Sequence, residues 1–277
     1  MLARLLKYEI RITGRSLLPI YAALLVLSVL MTLTDSWQMF LWDSAGDGVV
    51  DTVNSLIMFT YGCLMSTVSI ITVVLLVQRF YKNLLRDEGY LMHTLPVTTG
   101  QNLAAKLIAA VLWSAVSLLL TVFSLMIISM NIQDWQLFFE GLGELIGELN
   151  AAFGLHWPLF ALETLILLVI MLGTEIIQVY LALAIGHMAN SRRITWSVAA
   201  YIGLSVFANL IAQLLGRLII NWQWLLDIIR NLFYGYLHQQ IANIHILLLS
   251  SIVFFCISLA VQFAITRWIM KNRLNLE

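Results

Sequence analysis

The polar passage around which this chain is organised runs from Arg79 to Lys106 and reads RFYKNLLRDEGYLMHTLPVTTGQNLAAK. It is the longest polar-rich passage between two stretches that are apolar enough to span a membrane. Because the rest of the chain is suited to lipid, this passage is where the protein meets water, charge and a partner. The sequence therefore predicts a cytoplasmic loop that joins two transmembrane helices.

The composition of the chain argues against an ordinary soluble domain. Of its 277 residues, 61% are hydrophobic and 11% are charged, whereas soluble domains carry about 25% charged residues. A soluble fold of this composition would leave large apolar patches in water, and such patches drive association. The formal net charge is zero, so we expect no nucleic-acid partner. Cys63 and Cys256 lie in apolar runs and predict no disulfide framework or metal cluster.

Six mainly apolar runs are long enough to span a bilayer, whose hydrocarbon core requires about 20 residues of helix. We therefore predict an all-α integral membrane protein with a single transmembrane domain over residues 1–277. The six spans are expected at residues 17–37, 56–77, 107–130, 159–188, 195–220 and 244–265.

Lys and Arg residues are distributed unevenly between the two sides of these spans. All except Arg217 and Arg230 fall in the N-terminal segment, the passage after the second span, the turn after the fourth span and the C-terminal tail. Loops rich in Lys and Arg face the cytoplasm. The opposite side carries acidic residues, among them Asp43, Asp134 and Glu148. The pattern predicts that both termini are cytoplasmic.

Two further segments are expected to lie at a membrane surface. Residues 1–16 predict an amphipathic interfacial helix, because apolar residues recur there at helical spacing, and Gly14 is expected to end it. An unstructured basic leader is the alternative. Residues 221–243 are too polar for a span and too apolar for a solvated loop, which favours a re-entrant or interfacial segment before the sixth span.

The second outer loop is expected to contain a short amphipathic helix, WQLFFEGLGELIGELN, at residues 135–150. Glu140, Glu144 and Glu148 lie four residues apart and form an acidic stripe along it. Like charges at this spacing repel slightly, so one interpretation is a site for a cationic partner or substrate. The alternative is an interfacial helix with a solvated charged face.

Four polar residues inside the spans form a candidate intramembrane site, because such groups are costly at depth and are usually paired or functional. They are Glu163, Glu175 and Gln178 in the fourth span and Arg217 in the fifth. Glu163 and Arg217 lie at similar depths below outer tryptophans, so we expect them to pair. Glu175 lies near mid-membrane and is expected to face a helix interface or a transport pathway.

Catalytic and nucleotide-binding motifs are absent from the sequence. It contains no HExxH, no GxSxG and no GxxxxGK[ST]. The five histidines share no ligand spacing, and we expect no acid–histidine set at one depth. The chain is therefore predicted not to be an enzyme and to hold no metal or cofactor of its own.

The passage between the second and third spans contains a series of structural signals. A helical piece leaves the membrane, Gly89 provides a break, and Pro96 ends the piece that follows. Thr98 and Gln101 then form a capping box that starts the third span. The passage carries both charged residues and exposed apolar residues such as Tyr90, and this combination is typical of a docking surface.

At these residues the chain resembles the membrane subunits of type 2 ABC exporters, the ABC-2 type permeases. The likeness rests on RFYKNLLRDEGYLMHTLPV, the six spans, the amphipathic N-terminal helix and the half-buried segment before the last helix. Members of this family dimerise and insert a short coupling helix from this loop into a groove of a separate ATPase. The resemblance implies that ATPase-docking role for Arg86, Asp87, Glu88, Gly89, Tyr90, Leu91 and Leu95.

The resemblance also implies a function, the export of an amphiphilic peptide, lipid or drug across a bacterial-type cytoplasmic (plasma) membrane by alternating access. The implied partners are a P-loop ATPase that binds ATP and Mg²⁺, a second permease subunit in a homo- or heterodimer, and membrane lipid. Two other classes stay open. One is a membrane sensor or scaffold that docks another protein through the same loop, and the other is an ion-coupled secondary carrier that depends on Glu175.

Overall fold

The first helix, α1, runs unbroken from Leu2 to Leu33. The structure of the protein is a computed structural model. It describes residues 2–33, 48–82, 98–129, 132–189, 192–221, 227–228 and 239–272. The expected helix end at Gly14 is therefore wrong, and the amphipathic N-terminal stretch continues directly into the first apolar run. A Cβ atom at Gly14 would lie 2.8 Å from the Trp113 ring. The glycine thus permits a close side-chain approach within a continuous helix.

Seven α-helices make up the part of the chain that the structure describes. After α1 they are α2 (Gly48–Phe80), α3 (Thr99–Ser129), α4 (Ile132–Phe153), α5 (His156–His187), α6 (Arg193–Asn221) and α7 (Gln239–Asn272). Six of them, all except α4, are long and apolar enough to cross a membrane. The predicted all-α fold with six apolar helices is confirmed, as expected of a multi-pass membrane protein.

Three predicted elements fall wholly or partly outside the described residues. The ATPase-docking piece, Arg86 to Leu95, lies within the undescribed residues 83–97. The re-entrant or interfacial segment, residues 221–243, is described only at residue 221, at 227–228 and from 239 onward. The extension of the first span to residue 37 falls within residues 34–47, which are also outside the described part.

The chain forms two compact units, each built from segments that are distant in sequence. Unit 1 comprises Met1–Arg79 and Ile108–Gly147. Unit 2 comprises Phe80–Leu107 and Glu148–Glu277. Each unit therefore combines helices from separated parts of the chain.

Buried hydroxyl groups link the helices of unit 1. The Tyr21 hydroxyl of α1 lies 3.2 Å from the Thr72 hydroxyl of α2, which lies 3.3 Å from the Ser117 hydroxyl of α3. A second link joins Tyr61 of α2 to Ser124 of α3 at 2.8 Å. Hydrogen bonds between membrane helices contribute about 0.6 kcal/mol each on average. Their energy is modest, but they specify which residues of the three helices face each other.

In unit 2, helix α5 packs against both α6 and α7. Its C-terminal half is the buried half, and Leu181 and Ala184 form a hydrophobic cluster there with Ile269 of α7. Its N-terminal half exposes large apolar side chains such as Leu162 and Leu165. Exposed apolar side chains at these positions suit contact with lipid.

Close packing between the end of α5 and the start of α6 depends on Gly186. A Cβ atom at this position would lie 2.7 Å from the backbone oxygen of Arg193 and 2.5 Å from the backbone nitrogen of Ser197. Backbone atoms cannot rotate away as a flexible side chain does. We therefore expect Gly186→Ala to lower the free energy of unfolding by about 1–3 kcal/mol, the usual cost of overpacking.

Thermal unfolding in detergent micelles measures this effect, with Gly203→Ala on α6 as the matched control. Apart from the neighbouring part of its own helix, no atom of the described residues lies within 4 Å of a Cβ built at Gly203, so alanine there is expected to be neutral or to stabilise by up to about 1 kcal/mol. Equal melting temperatures for the two variants would contradict the close packing at Gly186.

Candidate functional site

The passage between α2 and α3 begins on a buried aromatic stack. Phe80, the last residue of α2, stacks on Tyr180 of α5 with ring centroids 3.9 Å apart and ring planes 5° apart. Both side chains are buried, with exposed fractions of 0% and 2%. The next residue, Tyr81, places its ring 5.6 Å from that of His187, the last residue of α5. Two consecutive aromatic side chains therefore fix the start of the passage to α5.

The same passage ends on a capped helix. The Thr98 hydroxyl accepts a hydrogen bond from the backbone N–H of Gln101 at 3.3 Å. The Gln101 side-chain oxygen accepts one from the backbone N–H of Thr98, also at 3.3 Å. These reciprocal bonds confirm the predicted capping box. In the first turn, a Cβ atom at Gly100 would lie 3.2 Å from the Nε atom of Arg267, so α3 begins against α7.

Phe80 and Gly100, near the two described ends of the passage, both lie in unit 2, one against α5 and the other against α7. The predicted docking residues between them lie outside the described residues, so their positions stay a prediction. The contacts of Phe80 and Gly100 thus connect the described ends of the passage to two helices of unit 2.

Three ionisable side chains form a hydrogen-bonded chain where α5 and α7 begin. The Nδ1 atom of His245 on α7 lies 2.9 and 3.0 Å from the two carboxylate oxygens of Glu163 on α5. Its Nε2 atom lies 3.3 Å from the Nδ1 atom of His156, the first residue of α5. His245 is 4% exposed, and the centroid of its ring lies 4.3 Å from the centroid of the Phe160 ring. We call Glu163, His245 and His156 the histidine–glutamate chain.

Two sequence predictions are wrong at this site. Glu163 was expected to pair with Arg217, but in the described part of the chain it pairs with His245, and Arg217 lies exposed on α6. No acid–histidine set at one depth was expected, yet the histidine–glutamate chain is such a set. Its members come from helices whose packing partners the sequence does not reveal.

A signal for this cluster was nevertheless present in the sequence. Glu163 follows His156 by seven residues, which is about two helical turns and places both on one face of α5. His245 lies near the beginning of α7 on the same predicted side of the membrane. Comparing predicted depth and helix face, instead of spacing along the chain, would have grouped the three residues.

The other candidate residues of α5 have different surroundings. Gln178 is 5% exposed, and its side-chain NH₂ donates a hydrogen bond to the Ser205 hydroxyl of α6 at 2.7 Å. Thr174, one turn earlier, is also buried. Glu175, by contrast, is exposed. The structure therefore places Gln178 at the contact between α5 and α6 and does not gather the four predicted intramembrane residues into one site.

Helix α4 contains the short helix that was predicted for residues 135–150 and extends it at both ends. The acidic stripe of Glu140, Glu144 and Glu148 is exposed. Large apolar residues of the same helix, including Leu137 and Phe139, are each 64% exposed. A helix that presents both kinds of side chain suits a membrane–water interface, which favours the interfacial interpretation over a cation site.

Metal ligands do not converge in the described part of the chain, where no group of three or more His, Cys, Asp or Glu side chains could hold a metal ion. Comparison of the chain with protein-family models, curated proteins and solved structures found no match. The likeness to type 2 ABC exporters therefore rests on the sequence features given above. The function is argued from the residues of this chain.

Proposed function

We propose that this chain is the membrane-spanning permease subunit of an ATP-binding cassette exporter. A separate P-loop ATPase binds ATP and Mg²⁺ and hydrolyses the nucleotide, and a second permease subunit completes the transporter in the plasma membrane. The cargo class is an amphiphilic peptide, lipid or drug. In this assignment Arg86, Asp87, Glu88, Gly89, Tyr90, Leu91 and Leu95 dock the ATPase.

The proposal rests on one observation, that both described ends of the polar passage pack against other helices. A simple connection between two helices requires neither a buried stack at Phe80 nor a close contact at Gly100. Both contacts are made with spanning helices, α5 and α7. This arrangement supports a role in which movement imposed on the passage is passed to the bundle.

Two features of the sequence support the proposal that a separate ATPase supplies the energy for transport. These 277 residues contain no P-loop, and in this proposal a separate ATPase supplies the energy of ATP hydrolysis. Asp87 and Glu88 offer charge for orientation, while Tyr90 and Leu91 offer apolar surface for a groove. Interfaces commonly combine an apolar anchor with a polar rim in this way.

ATP-dependent accumulation of an amphiphile in vesicles tests the proposal. The chain, purified with its associated ATPase, is reconstituted into phospholipid vesicles, and ATP is added outside with a fluorescent lipid analogue, a cationic dye or an amphipathic peptide. We expect at least one probe to accumulate in the lumen or inner leaflet with hydrolysable ATP and not with a non-hydrolysable analogue. Accumulation that is the same with both nucleotides would contradict the proposal.

A second candidate function, an ion-coupled secondary carrier, is favoured by Glu175. Glu175 is exposed on an apolar helix that is long enough to span a membrane, where an ionisable group is costly and usually functional. Such a carrier would accumulate the same probes in response to an imposed proton gradient, without ATP or ATPase. It would also lose transport in Glu175→Gln, whereas the exporter would retain its ATP dependence.

A further inference from the structure

One face of helix α1 is exposed from its first turn almost to its end. The residues of this face recur at intervals of three or four, the spacing that keeps side chains on one side of a helix. Its first four members are cations and its next four are apolar. All eight are exposed: Arg4, Lys7, Arg11, Arg15, Leu18, Ala22, Val26 and Val29. The cationic half and the apolar half are therefore two parts of one continuous surface.

The opposite face of α1 is buried. Glu9, Thr13, Leu17 and Tyr21 lie on it, and each is at most 6% exposed. Glu9 is the one acidic residue in the sequence of α1, and its carboxylate lies 3.9 Å from Arg79 of α2. The cationic half of the exposed surface therefore has no acidic side chain of α1 beside it to balance its charge.

The unbroken course of α1 sets the depth of each cation. Because a helix rises about 1.5 Å per residue, Arg15 lies about 27 Å from Leu33, close to the roughly 30 Å thickness of a hydrocarbon core. Arg11 lies about 6 Å further out, within a headgroup layer that is about 5–7 Å thick on each side. Lys7 and Arg4 lie about 12 and 16 Å beyond Arg15, further than the Debye length of about 8 Å. The two cations nearest the apolar half are thus at the depth of lipid phosphates.

We propose that Arg11 and Arg15 bind the phosphate groups of anionic lipids in the leaflet on the predicted cytoplasmic side. A guanidinium group offers paired N–H donors that match phosphate oxygens. The exposed apolar residues that follow on the same face, beginning with Leu18 and Ala22, contact the acyl chains of these lipids. A lipid with an anionic phosphate head and apolar tails is complementary to both halves of the surface.

A second copy of the chain fits this surface less well than lipid does. Two subunits related by twofold symmetry place the same patch of each subunit against the other. In one membrane the cations of both copies would then lie at the same depth and face each other. Like charges that face each other across an interface are unfavourable, whereas lipid phosphates supply the opposite charge.

Native mass spectrometry of the purified full chain in a neutral detergent tests the site. Dioleoylphosphatidylglycerol is the anionic probe, and dioleoylphosphatidylcholine, with the same acyl chains, is the zwitterionic one. Each surface cation strengthens binding of an anionic lipid by roughly fivefold, so we expect Arg11→Gln/Arg15→Gln to weaken phosphatidylglycerol binding on the order of 30-fold. Binding of phosphatidylcholine should not change. Arg11→Lys/Arg15→Lys keeps both charges and should retain the preference for phosphatidylglycerol.

Two matched double variants remove the same charge at other positions. Arg4→Gln/Lys7→Gln acts on the same helix face but further from the hydrocarbon, and it should weaken phosphatidylglycerol binding by no more than about fivefold. Arg192→Gln/Arg193→Gln removes two exposed cations where α6 begins, and it should leave the preference of the α1 surface unchanged.

Three results would overturn the proposal. The first is equal affinity of the wild-type chain for the two lipids. The second is an equal loss in all three glutamine variants, which would attribute the preference to net charge alone. The third is displacement of phosphatidylglycerol by inorganic phosphate at constant ionic strength, which would indicate a soluble phosphate ligand. These measurements use no nucleotide, ATPase or cargo, so their outcome is independent of the exporter assignment.

Discussion

Replacing Phe80 with alanine is expected to lower the free energy of unfolding by up to about 3–5 kcal/mol, the cost of deleting a buried aromatic side chain. Phe80 is 0% exposed and stacks on Tyr180 at 3.9 Å, so the substitution leaves a cavity against α5. Lipid lowers the transfer part of this cost, because the unfolded side chain stays in apolar surroundings. The packing part remains, since the lost ring contacts have no replacement.

Phe59→Ala on the same helix is the matched control. Phe59 is 71% exposed, so its removal leaves no cavity and is expected to change the free energy of unfolding by no more than about 0.5 kcal/mol. Thermal and denaturant unfolding in micelles measure both variants. Similar destabilisation by the two substitutions would show that the stack does not fix the end of α2.

A conservative variant separates folding from coupling at the same position. Phe80→Leu retains an apolar side chain but removes the stacked ring, whose geometry is worth about 0.5–1.5 kcal/mol beyond its buried area. If the stack passes movement from the docking passage to α5, this variant should fold and bind ATPase but accumulate less cargo per ATP hydrolysed. An unchanged ratio would restrict Phe80 to a structural role.

Reversing the charges of Asp87 and Glu88 is expected to abolish ATP-driven export. Loss of a charge pair at the core of an interface costs about 2–5 kcal/mol, and about 2 kcal/mol corresponds to roughly a 30-fold loss of affinity. Lysine at both positions also introduces repulsion from any cationic partner of the acids. The expected results for Asp87→Lys/Glu88→Lys are loss of bound ATPase and loss of ATP-dependent accumulation, with the helical bundle still folded.

The double variant Glu140→Lys/Glu144→Lys controls for the change in net charge. These acids lie exposed on α4, on the side of the membrane that the charge pattern predicts to be opposite. We expect this variant to retain the ATPase and its ATP turnover. If this variant loses the ATPase as completely as Asp87→Lys/Glu88→Lys does, the loss of the ATPase comes from the change in net charge and not from a disrupted docking contact.

Local signals predicted the features of the fold that depend on residues close in sequence. Apolar runs of about 20 residues predicted spanning helices because a helix of that length crosses the hydrocarbon core and satisfies its own backbone groups in lipid. Thr98 and Gln101 predicted a helix start because the capping bonds join residues three apart. The six apolar helices and the cap are both confirmed by the structure.

The features that depend on packing between distant segments escaped prediction. Gly14 suggested a break, since glycine weakens an isolated helix, but it accommodates Trp113 from α3. Glu163 suggested a cationic partner, but its partner is His245, which lies 82 positions away along the chain. Composition and spacing along the chain do not reveal which helices pack together, and for this reason they gave Glu163 the wrong partner.

Mass spectrometry of the proteins that co-purify with the chain after mild solubilisation of its native membrane tests the exporter assignment most directly. We expect a P-loop ATPase in comparable amount with the wild-type chain and with Glu140→Lys/Glu144→Lys, and its loss with Asp87→Lys/Glu88→Lys. The result that would contradict the assignment is the absence of any ATPase from the wild-type complex, or its equal retention by the Asp87→Lys/Glu88→Lys variant.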